Sequence, residues 1–122
     1  MKLHLTKAAG RNLFTGYGDG YVSINDQRYT HAVIVPPEGE VERWTASSFD
    51  ALEAADFEVL RTRSPELVLL GAGASHRFPR PELVRPLVTA GIGFEAMDTK
   101  AACRTYNILV AEGRQVIAAI LV

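Results

Sequence analysis

The chain is poor in the residues that usually carry chemistry. Its single cysteine, Cys103, excludes an intramolecular disulfide and a four-cysteine metal site. Its three histidines, His4, His31 and His76, are scattered, and no two have the spacing of ligands on one helix. No long apolar run is present, so neither a signal peptide nor a membrane-spanning helix is expected. Direct membrane insertion is therefore not expected, and a cytoplasmic location is. Neither sign of charge dominates: 13 Lys and Arg stand against 14 Asp and Glu, a formal net charge of -1. A general nucleic-acid binder would need a surplus of cations on one face, so no nucleic-acid partner is expected. Repeats, low-complexity runs and linkers are also missing, which leaves residues 1–122 as one domain.

What is there suits a globular fold. Hydrophobic residues make up 48% of the 122 and charged residues 22%. A chain of this length buries roughly two thirds of its unfolded surface, enough to fold without disulfides or metal. The first 20 residues are mixed and glycine-rich, with Gly16, Gly18 and Gly20 close together. In residues 21–25, YVSIN, Val22 and Ile24 alternate with polar neighbours, a strand pattern. Asp26-Gln27 reads as the following two-residue turn, although it lacks the glycine that favours such hairpins. His4 and His31 read as ordinary strand residues. Ala32 to Val35 is a continuous apolar run, as in a strand buried on both faces, and Pro36-Pro37 ends it. Residues 41–46, VERWTA, read as another short strand. Ser47 with Asp50 resembles a capping box and predicts a helix over 49–61.

The second half has a clearer rhythm. Leu67 to Leu70 is a short apolar strand. Pro81 opens a helix whose stripe is Leu83, Val84, Leu87 and Val88. Pro86 should keep this helix short or bent, and Gly91 should end it. Ile92 to Met97 reads as a strand, Thr99 to Glu112 as a helix stopped by Gly113, and Gln115 to Val122 as a last strand. Strand, helix, strand, helix, strand implies parallel pairing with right-handed crossovers. The fold class expected is therefore α/β: one domain with an N-terminal antiparallel hairpin, a mixed β-sheet and helices on its faces.

Between the strand at Leu70 and the helix at Pro81 lies GAGASHRFPR. Gly71 and Gly73 match two of the three glycines of a dinucleotide fingerprint. The third position is His76, too bulky for close helix packing, and no Gly-Lys-Ser or Gly-Lys-Thr follows. Glu95 lies where a ribose-binding acid would stand, but it equally fits an ordinary strand. The glycines are thus read first as a turn requiring unusual dihedrals. A pocket can still form beyond the carboxyl ends of parallel strands. There the loop of Gly71, Gly73 and Arg77 would face that of Asp98 and Thr99.

The stretch 97–107, MDTKAACRTYN, adds further candidates. Asp98 or Thr99 can cap a helix. On a helical wheel Ala102, Thr105 and Leu109 share one face and Lys100, Arg104 and Asn107 the opposite one, with Cys103 at the border. Arg77, Lys100 and Arg104 can form an anion site, or they can be solvated or paired with Glu82, Glu95 or Asp98; sequence weighs the two equally. Cys103 reads as a small buried side chain before it reads as a nucleophile or redox sensor.

The runs ELVLLGAGASHRFPRPEL and GIGFEAMDTKAACRTYNILVAEGRQVIAAIL carry a resemblance. They are similar to the complex I assembly factor 3 / adipogenesis-associated protein domain family, which also has bacterial and archaeal members. The resemblance spans essentially the whole chain and is strongest from Glu66 to Val122. It implies a three-layer α/β domain with a mixed sheet, action through protein partners, no cofactor and no known catalytic residue. Gly71, Gly73, Arg77, Asp98, Thr99, Cys103, Arg104 and Asn107 map onto its motifs as a surface site. A non-enzymatic protein-interaction or assembly-factor-like domain is therefore the first functional reading. Its rival is a small-anion or nucleotide-binding protein, or an enzyme, using a cleft near Gly71 and Met97.

Overall fold

A computed structural model describes residues 10–122; His4 lies outside them. Two sheets and three helices make up this part. The first sheet, β1-β2-β3, is antiparallel and consists of β1 (Phe14–Gly18), β2 (Tyr21–Ile24) and β3 (Gln27–Tyr29). Ile24 pairs directly with Gln27, and Asn25 and Asp26 between them both have positive φ. The turn is therefore Asn25-Asp26, one residue earlier than expected. Short polar side chains tolerate that conformation, which gives the primed turn that matches strand twist. β1 was hidden in the glycine-rich front segment.

The second sheet has the order β5-β4-β8-β6-β7. Its strands are β4 (Val33–Val35), β5 (Glu42–Arg43), β6 (Leu67–Gly71), β7 (Gly93–Met97) and β8 (Val116–Ile120). β6 pairs parallel with β7 and β8, while β4 pairs antiparallel with β8 and β5. The apolar run at Ala32 therefore joins a different sheet from the hairpin before it. His31 sits in the bend between them, not in a strand.

Alternation along the strands sorts the core into two faces. Ile34, Val68, Leu70, Ile117 and Ala119 pack under α1 (Ala54–Arg61) and α2 (Pro81–Thr89). Val33, Val35, Leu69, Val116, Ala118 and Ile120 pack against α3 (Thr99–Ala111) and the first sheet. Each fully buried aliphatic side chain contributes about 1.5–3 kcal/mol. Helices, central sheet, and α3 with the small sheet are the three layers.

α2 begins at Pro81 and contains Pro86 within its nine residues, as expected. α1 begins at Ala54, not Phe49. Residues 48–52 form tight turns instead, with Leu52 N–H donating to Phe49 O at 3.2 Å. Asp56 then accepts from the Glu53 amide at 2.9 Å and from the Thr45 hydroxyl at 2.5 Å, which fixes the helix start.

Candidate functional site

The carboxyl ends of β6, β7 and β8 converge at the start of α3. Ala72 N–H donates to Met97 O at 2.8 Å, and Leu121 N–H to Gly71 O at 2.9 Å. Gly73 N–H donates to Thr99 Oγ1 at 3.0 Å, and Thr99 N–H to Gly73 O at 2.8 Å. Thr99 Oγ1 in turn donates to Leu121 O at 2.5 Å. The glycine loop and the Asp98-Thr99 loop do face each other, and they are bonded together.

These bonds explain the glycines. A Cβ at Gly71 would lie 2.8 Å from Ile120 Cδ1 and 3.2 Å from Thr99 Cα, so the close approach of α3 requires its absence. Gly73 has φ +98°, and a Cβ there would meet open space, so it serves the turn. The Gly73 and Thr99 amides are spent inside the protein, and Ala101 N–H donates to Asp98 Oδ1 at 3.0 Å, an ordinary N-cap.

Outside this seam lies a cleft of about 400 Å³. Its walls include Gly18, Asp19 and Gly20 of the β1–β2 turn, Gly73 and Ala74, and Asp98, Thr99 and Lys100. Its charged residues are Asp19, Asp98 and Lys100.

The remaining candidates do not gather there. Arg77 leaves on the α1 side, donating to Asp50 Oδ1 at 2.8 Å with its guanidinium carbon 4.0 Å from the Phe49 ring centroid. Arg104 lies on the α3 side, donating to the Tyr17 hydroxyl at 2.8 Å. Phe49 packs on one core and Tyr17 belongs to the other, so the central sheet separates the two arginines. The three-cation cluster does not form. Glu95 is exposed on β7 and is not among the residues of the cleft.

Cys103 and Asn107 lie in the core, not in a surface stripe. Burial pushes the Cys103 thiol up from about 9 to about 12, against the weaker opposing pull of Arg104. His76 is exposed and packs on Phe78, ring centroids 4.8 Å apart. Asn107 accepts from Phe14 N–H and donates to Phe14 O, both at 2.9 Å, and so clamps β1 to α3. The buried face of α3 is Thr99, Ala102, Cys103, Tyr106, Asn107 and Val110. Among the described residues no group of three His, Cys, Asp or Glu side chains could hold a metal ion.

Sequence reasoning passed over Phe78. Its side chain is 69% exposed, on a loop held by the Gly73–Thr99 bonds, the Arg77–Asp50 contact and buried Pro79. Phe78 stands between Arg77 and Pro79, outside every periodic run, so only its isolation in a polar loop could have signalled it.

Residues 14–121 match the family model described as protein of unknown function (DUF498/DUF598). The chain is 26% identical over 117 residues to the 13 kDa major membrane protein of Francisella tularensis, covering 95% of each. It is 30% identical over 111 residues to NADH dehydrogenase [ubiquinone] 1 alpha subcomplex assembly factor 3 of Bos taurus. That match takes in 86% of this chain but spans only 60% of the bovine factor. Among solved structures, a protein from Bordetella parapertussis superimposes with TM-score 0.88 at 44% identity, over 94% of this chain and 98% of the other. No helix of the described residues is long and apolar enough to cross a membrane.

Proposed function

The chain belongs to this family of unknown function, and on that premise we propose that it is a protein-interaction domain of the assembly-factor kind. It acts by holding a partner protein and carries out no chemical step of its own. The observation that carries this reading is Phe78, an exposed aromatic on a loop fixed at both ends. Leaving a large apolar ring in water is unfavourable, and burying it against a partner removes that cost. Buried aromatics supply much of the energy of protein interfaces. The bovine relative is named as an assembly factor, which agrees with this use.

The cleft supports small-anion binding less well. The Gly73 and Thr99 amides are bonded within the protein, and Arg77 is elsewhere. Native capture with the wild type and with Phe78→Ser tests the interaction reading. A specific partner recovered by the first and lost by the second supports it; equal recovery by both rules out Phe78 as the anchor.

A further inference from the structure

Lys100, Arg104 and Ile108 lie at successive four-residue steps along α3 and are all exposed, Ile108 to 60%. They form one stripe opposite the buried face of the helix. The placement of the two cations is unfavourable in the isolated chain. Like charges four residues apart on a helix repel. Lys100, in the first turn, also opposes the helix dipole. Neither takes part in an ion pair among the described residues. Instead both lie near one aromatic ring: Lys100 Nζ is 6.0 Å and the Arg104 guanidinium carbon 5.9 Å from the Tyr17 centroid. Arg104 is also fixed by its bond to the Tyr17 hydroxyl. The Tyr17 ring offsets part of this repulsion, and both residues stay exposed on the outer face of the helix.

We propose that this stripe docks an acidic segment of a partner protein. The segment presents two carboxylates about one helical turn apart, followed by an apolar side chain. The carboxylates meet Lys100 and Arg104, and the apolar residue covers Ile108. Charge complementarity chooses this occupant: a second copy would bring two cations against two cations. The proposal rests on the protein-interaction reading but uses a different face from Phe78, because α3 and the α1–α2 layer lie on opposite sides of the sheet.

The test uses the full chain and two alanine-based peptides of about 16 residues, long enough to populate a helix. One carries Glu at two positions four residues apart and Leu four residues further on; the control has Lys in place of Glu. The acidic peptide is expected to shift backbone amide resonances along 100–108, and the control to leave them unmoved. Lys100→Glu is expected to weaken the acidic peptide on the order of tenfold. Ile108→Ala keeps both charges and is expected to weaken binding less.

Two results would overturn the proposal: no shift along α3, or equal shifts with both peptides. Inorganic phosphate that shifts the same amides and displaces the peptide would overturn it too, by showing a small-anion site. Phe78→Ser should leave peptide binding intact. Loss of Phe78-dependent capture with the peptide result unchanged would therefore sink only the broader reading, and the converse only this one.

Discussion

Gly73 and Thr99 hold each other through two hydrogen bonds, Gly73 N–H to Thr99 Oγ1 at 3.0 Å and Thr99 N–H to Gly73 O at 2.8 Å. The hydroxyl also reaches Leu121 O, so one side chain ties β6, α3 and the end of β8 together. Thr99→Val keeps the shape but leaves the Gly73 amide without its acceptor and Leu121 O without this donor. The expected loss is about 2–3 kcal/mol in urea denaturation, with Thr99→Ser close to wild type. Equal stability of all three proteins would show that the seam is not held by these bonds.

The two loop glycines should respond differently to alanine. Gly71→Ala meets Thr99 Cα at 3.2 Å and must push α3 away, at about 1–3 kcal/mol. Gly73→Ala meets nothing but must hold φ +98°, at about 1 kcal/mol. A second site change separates the causes. Ile120→Val removes Ile120 Cδ1, 2.8 Å from the new methyl, and should recover part of the loss at Gly71 but none at Gly73.

Asn107 uses both ends of its amide on the backbone of Phe14. Asn107→Leu leaves a buried donor and acceptor unpaired and should cost about 2–4 kcal/mol. Hydrogen exchange should show the loss concentrated in β1 and β2, with β6 still protected. Uniform loss of protection would contradict the clamp.

Burial raises the Cys103 thiol from about 9 to about 12, so the folded state keeps the proton that the unfolded chain releases. The contribution to stability is complete below pH 9. It is lost as pH rises from about 9 towards 12, at up to about 1.4 kcal/mol per unit. Tyr106, also raised by burial, adds to the decline at higher pH. Cys103→Ala should flatten the profile between pH 9 and 10, and native wild type should react with iodoacetamide only as it unfolds.

The parts legible in sequence were those where local chemistry and tertiary context agree. Pro81 opens α2, Asp98 caps α3, and apolar runs mark β6 and β8. β1 was obscured because Gly16 and Gly18 interrupt its apolar pattern; Gly18 leaves room for the Tyr21 ring, since a Cβ there would lie 2.4 Å from it. The start of α1 was misplaced because Ser47 and Asp50 resemble a cap, while the tight turns at 48–52 delay the helix to Ala54. Asn107 was put on the polar face by its chemistry, whereas a buried strand edge needs just that amide. The facing of the Gly73 and Thr99 loops followed from the parallel strands. The separation of Arg77 from Arg104 did not, because Arg77 follows Phe49 and Asp50, residues far off in sequence.

The most direct measurement is native capture with immobilised wild type and Phe78→Ser, each first shown to unfold at the same urea concentration. The substitution touches no core packing and should change stability by no more than about 0.5 kcal/mol. The account predicts one specific partner protein on the wild type and at least a tenfold reduction on the variant, on the order of the loss of a well-buried aromatic anchor. A partner held equally by both proteins, or none held by either at low and moderate salt, would contradict it.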